Sequence, residues 1–120
     1  MRIRVREHGV SLPSPILVYL EKILREATRD AQADISAVIV SLVSLAPKYN
    51  PLDGGKLVVR VCGRSRTTIL LAEAGCGWRD LVDRTALRLA HRIQSLRLRR
   101  NATSSAEIVD DKGLRLTGRN

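Results

Sequence analysis

Few residue types in this 120-residue chain are spaced for chemistry. His8 and His91 fall on different predicted elements, and no carboxylate stands at a spacing that would complete a metal site with either. Asp110 and Asp111 are adjacent acids in a polar tail, where nothing holds them to the geometry that acid–base catalysis needs. Asp80 and Asp83 sit near the start of a predicted helix, where negative charge complements the dipole. Gly54–Gly55 leads into a strand rather than a helix and is not a phosphate-cradling loop. Cys62 and Cys76 are too few and too widely spaced for a zinc knuckle or a CxxC pair. In a cytoplasmic chain two reduced, partly buried thiols are favoured over a disulfide. These patterns argue against an enzyme and call for no metal, cofactor or small-molecule substrate.

The arginines are different. In "RTALRLAHRIQSLRLRR", residues 84–100, the helical period places Val82, Ala86, Leu89, Ile93 and Leu96 on one apolar stripe. Arg84, Arg88, Arg92 and Arg99 then share another flank, with His91 beside them. Like charges at i,i+4 cost a helix about 0.2–0.5 kcal/mol per pair. An acidic partner outside the chain would supply the missing counter-charge, although a solvated helix face alone would look the same. Lys22, Arg25 and Arg29 line up on the far side of an earlier helix, and Arg2, Arg4 and Arg6 alternate with Ile3 and Val5. Two of these sets are flanks of neighbouring helices able to merge into one positive groove; the third faces the other side of a sheet.

The elements that position these groups follow from pattern. "RIRVR" alternates as a strand. Ser14 reads as an N-cap and Pro15 as the first helical residue, opening a helix that runs to about Asp30. Its core face is Ile16, Leu20, Ile23, Leu24 and Ala27. "ISAVIVSLVSL", "KLVVRVCG" and "TTILLAEA" read as strands, the first two separated by a loop with Pro47, Pro51, Gly54 and Gly55. A second helix spans Trp78 to about Arg100. The order is β-α-β-β-β-α: an α+β fold with a four-stranded sheet and two helices packed on one face. Residues 1–100 form the domain, and residues 101–120 read as a flexible tail. Val38, Val40 and Leu42 would face the helices, yet Ile39, Val43, Val58 and Leu70 are apolar too. Either the outer sheet face is partly covered, as in a homodimer, or a bulge changes the register of a strand.

Twenty-one Lys and Arg against twelve Asp and Glu give a net charge of +9. That footprint suits nucleic acid. A membrane surface would also want exposed aromatic or leucine side chains on a helix; the chain has no Phe and one Trp. No apolar run approaches the ~18 residues of a membrane span, and "MRIRVREHGV" lacks the apolar core of a secretory signal, so the expected location is the cytoplasm. Arginine dominance fits phosphate, which a planar guanidinium grips with two parallel hydrogen bonds. Aromatics at 2% argue against base stacking on single strands, and for structured RNA read by shape and charge.

Over residues 1–100 the chain resembles the ribosome hibernation promoting factors and ribosome-associated translation inhibitors, some labelled modulators of an alternative sigma factor. The family's first-helix pattern L-x-x-Y-V-x-x-K-L is similar to "ILVYLEKIL", with Tyr19 and Leu20 in the Y-V places. The pattern's lysine falls at Ile23, one place after Lys22. The second-helix pattern, A-I-D, then K-L and a basic end, is similar to "LVDRTALRLAHRIQSLRLRR". Asp83 takes the acidic position, Arg88 the basic place before Leu89, and Arg97, Arg99 and Arg100 the basic end; the Trp78–Arg79 region replaces the usual tyrosine. The resemblance implies a stress-response factor that binds the small ribosomal subunit near the decoding channel, contacts ribosomal RNA, and blocks tRNA and mRNA. On this basis the expected RNA-binding residues are Arg84, Arg88, His91, Arg92, Arg97, Arg99 and Arg100, with Lys22, Arg25 and Arg29. Two other classes remain open: a general structured-RNA-binding module, since double-stranded-RNA-binding domains use a related α-β-β-β-α order, and a dimeric protein-interaction module.

Overall fold

A computed structural model describes the backbone of residues 1–106 and the side chains through residue 97. Alternating apolar residues form β1 (Arg2–His8), β2 (Ile35–Val43), β3 (Gly54–Gly63) and β4 (Thr68–Cys76). Between the first two strands lie α1 (Ser14–Ala27) and a 3-10 helix (Arg29–Asp34), and α2 (Trp78–Ala106) follows β4. The sheet order is β1-β2-β3-β4. The β1–β2 pair is parallel, as a helical crossover requires, and the two hairpin-linked pairs are antiparallel. The expected β-α-β-β-β-α order is the one observed. The chain divides into two units, Met1–Ala90 and a second beginning at His91. The sheet, α1 and the opening turns of α2 belong to the first.

Register assigns the faces. Ile3, Val38, Val61 and Ile69 form one row, and Val5, Val40, Val59 and Leu71 the next. These rows face the helices, and all but Ile3 and Val5, on the edge strand, are buried. Leu20 and Leu24 of α1 and Leu81, Val82 and Leu89 of α2 are fully buried. Each such side chain contributes about 1.5–3 kcal/mol through burial. Trp78 closes one end of this core: its indole N–H donates to the Pro51 carbonyl at 2.8 Å. Gly55 makes that closure possible, because a Cβ there would lie 2.5 Å from the Val43 carbonyl oxygen and 3.0 Å from the Trp78 ring.

Local chemistry moves several boundaries. Pro13, not Ser14, occupies the N-cap of α1, without a side-chain cap, and its carbonyl accepts from Ile16 and Leu17 at 3.1 and 3.2 Å. The helix stops at Ala27 rather than near Asp30. The buried Thr28 hydroxyl donates to the Leu24 carbonyl at 2.8 Å, and the chain tightens into the 3-10 turn. Strand β4 extends through Gly75 to Cys76, so the "GCG" break comes later than its composition implies. A register shift between Ile35 and Ala37 turns Ile35 into the core, while Ile39 and Val43 stay on the outer face. The bulge was thus one of the two alternatives open from sequence. Helix α2 runs on to Ala106, since no Gly or Pro interrupts residues 101–106. The rest of the expected tail, residues 107–120, lies outside the described residues. Cys62 and Cys76 are both free, and Cys76 is exposed rather than partly buried.

Candidate nucleic-acid interface

Lys22 and Arg25 share the exposed flank of α1, and Arg29 is exposed at the start of the 3-10 helix that follows. Arg25 is engaged: Nε and Nη2 both donate to Glu21 Oε2, at 3.1 and 3.0 Å. Arg29 lies 4.0 Å from Asp30 with both side chains about three-quarters exposed, too loose and too solvated to neutralise either. Lys22 makes no ion pair among the described residues.

Arg84 and Arg88 of α2 do meet, but around a carboxylate. Glu73 occupies the helix-facing side of edge strand β4, opposite Leu57. Its Oε1 accepts from Arg84 Nη1 at 3.3 Å, and its Oε2 from Arg88 Nη1. Arg84 Nε also reaches Asp80 at 3.1 Å, and Arg88 bonds the Ala72 carbonyl at 3.2 Å. An inward-pointing charge on an edge strand, clasped by a helix, discourages pairing with another chain. This corrects the expectation that the counter-charge for these arginines lies outside the protein: much of it comes from Glu73. The clasp does not exhaust them. A guanidinium carries five N–H donors, and both side chains remain nearly half exposed.

Tyr19 links the helices. Its hydroxyl donates to the Asp83 carboxylate and the Arg79 guanidinium stacks 4.3 Å above its ring. The hydrogen bond to Asp83, followed by desolvation, raises the phenol's pKa above its usual 10, while Arg79 pulls it down. No contact among the described residues joins Lys22, Arg25 or Arg29 to Arg84 or Arg88. In the second unit His91, Arg92 and Arg97 are exposed helical residues. No ion pair involves them among the described residues. The side chains of Arg99 and Arg100 lie outside those described.

The outer face of the sheet gathers cations from two strands. Cross-strand register puts Arg2, Ala37, Cys62 and Thr68 in one row of the outer face, followed by Arg4, Ile39, Arg60 and Leu70. The next rows are Arg6, Ser41, Val58 and Ala72, then His8, Val43, Lys56 and Ala74. Arg2, Arg4 and Arg6 were visible as an alternating triplet. Arg60 and Lys56 join them only through the register, which no single strand reveals. The i,i+4 partners Glu21–Arg25 and Asp80–Arg84 were legible in the spacing; Glu73 was not. No group of three or more His, Cys, Asp or Glu able to hold a metal occurs among the described residues. Nor is any of their helices long and apolar enough to cross a membrane.

No protein-family model matches the chain, and no curated protein matches its sequence. Solved structures do match. A ribosomal subunit interface protein from Coxiella burnetii aligns at a TM-score of 0.63 and 18% identity, over 82% of this chain and 99% of its own. The N-terminal domain of Thermus thermophilus Protein Y aligns at 0.64 and 16% identity, over 80% of this chain and 99% of its own. The fold is that of a ribosomal subunit interface protein. Each of these structures is covered along 99% of its length, and about a fifth of this chain lies outside the alignment.

Proposed function

We propose that the protein is a ribosome-associated factor that binds the small subunit near the decoding channel and blocks translation by occupying the space of tRNA and mRNA. The observation that carries this reading is the shared fold, which extends over almost the full length of a ribosomal subunit interface protein. The net charge of +9 is consistent with an RNA partner. No step requires catalysis: a body that fills the channel inhibits by exclusion, and its place of work is the cytoplasm. Lys22, Arg29 and the outward edges of Arg84 and Arg88 are the proposed phosphate contacts of the first unit, with Arg25 sharing its charge with Glu21. His91, Arg92, Arg97, Arg99 and Arg100 are the proposed phosphate contacts of the second unit.

Competition tests the reading. Fluorescently labelled protein bound to purified small subunits is challenged with unlabelled small subunits, with large subunits and with duplex RNA, all at equal phosphate concentration. Small subunits should compete by a wide margin. Equal displacement by generic duplex would instead identify a general structured-RNA-binding module. Binding that persists at high salt, where phosphate contacts fail, would identify a protein-interaction module.

A further inference from the structure

The sheet face opposite the helices carries the most one-sided charge in the described molecule. Its four rows contain Arg2, Arg4, Arg6, Lys56, Arg60 and His8, and no Asp or Glu. All six of these side chains are exposed, and none makes an ion pair among the described residues. On the helix side, by contrast, Arg25, Arg84 and Arg88 each have a carboxylate within 3.3 Å. A surface serving only solubility mixes the two signs. Edge protection could account for Arg2, Arg4 and Arg6 on β1 but not for Arg60 and Lys56, which stand on an interior strand.

The arrangement has a shape. Along β1 the arginines recur every second residue, about 6.7 Å apart from the strand rise, a step comparable with that between successive phosphates of an extended nucleic-acid strand. Arg60 faces Arg4 across β2, and Lys56 faces His8. Two strand spacings separate these columns by about 9.6 Å. The floor between them is Ala37, Ile39, Ser41 and Val43, small or apolar side chains that offer no counter-charge and no aromatic platform.

We propose that this outer face is a second binding surface, taking the sugar–phosphate backbone of a single RNA strand along β2 between the two cationic columns. Arginine favours phosphate through paired hydrogen bonds. The absence of stacking residues makes the contact independent of sequence. A second copy of the same face is a poor occupant, because its cations would oppose these.

The test needs no ribosome, so its failure is separable from failure of the ribosome-association reading. Binding of a fluorescent 12-nucleotide uridine RNA to the full chain is followed by anisotropy across a potassium chloride series. The double variant Arg4→Gln, Arg60→Gln should flatten the dependence of log K on log salt by about 1.4, or 0.7 for each lost contact on a single strand. The control Lys48→Gln, Arg66→Gln, at exposed positions in the two loops that flank β3, should leave it unchanged. In the unmodified chain, the RNA should also protect Arg4 and Arg60 from phenylglyoxal, a readout independent of any folding defect in the variants. An unchanged slope with no protection overturns the proposal. So does equal protection by polyglutamate, which would assign the face to an acidic protein, or a dimeric mass by light scattering that the double variant abolishes.

Discussion

Replacing Glu73 by Gln separates two roles of Arg84 and Arg88. In the native chain both guanidiniums bond the Glu73 carboxylate, which is mostly enclosed, while the arginines are nearly half exposed. Ion pairs of such exposure are screened by solvent and contribute about 0.2–1 kcal/mol each. Glutamine keeps the volume of glutamate and can still accept one hydrogen bond, so no cavity term arises. Losing the two pairs should therefore cost about 1 kcal/mol. For a unit of this size that lowers the melting temperature by roughly 4–8 °C. Small-subunit binding should move the other way, because one carboxylate is removed from between two phosphate-seeking groups. If either arginine gains a full phosphate contact, the salt dependence steepens by about 0.7–0.9. Thermal melting by circular dichroism, paired with subunit binding at several salt concentrations, reads both. A lower melting temperature with unaltered affinity and slope would refute the binding role and leave the clasp as purely structural.

Arg88→Ala should weaken small-subunit binding and flatten its salt slope by about 0.7–0.9; an unchanged slope in the same binding series would show that Arg88 serves only Glu73. The Thr85 hydroxyl is buried and has no hydrogen-bond partner among the described residues, so Thr85→Val should raise stability in urea unfolding by about 1 kcal/mol, the lower end of what an unsatisfied buried group costs. Gly55→Val should disrupt the closure between Val43 and Trp78, and a red-shifted tryptophan fluorescence maximum would report it. The raised phenol pKa of Tyr19 means that its hydrogen bond to Asp83 stabilises the fold fully below pH 10 and is lost as pH rises through the higher folded value. Chemical unfolding at pH 9 and 11 should thus show a loss at the higher pH that Tyr19→Phe reduces.

Much of this molecule was legible because its signals are local and strong. The alternation in "RIRVR" and the 3.6-residue stripe through Val82, Ala86 and Leu89 each specify an element without help from the rest of the chain. Boundaries were harder: Pro13 captures the N-cap that Ser14 advertises, and Thr28 ends α1 through a bond to its own preceding turn. The charge map needed tertiary structure. A helical wheel places Arg84 and Arg88 together but cannot show that Glu73 arrives from β4 to meet them. Nor can a strand pattern reveal that Arg60 shares a row with Arg4, since that depends on the register of two successive strand pairings. The cations that looked most available from sequence are partly compensated, and an uncompensated set lies on the other side of the sheet.

Ribosome association is tested most directly by where the protein travels in a gradient. Lysate from stationary-phase cells is sedimented through a density gradient at low salt, and the protein is followed across the fractions by immunodetection. Co-migration with small subunits or whole ribosomes, lost when the gradient is run at high salt, is the predicted result. Recovery at the top of the gradient at low salt, with ribosomes intact further down, would contradict it.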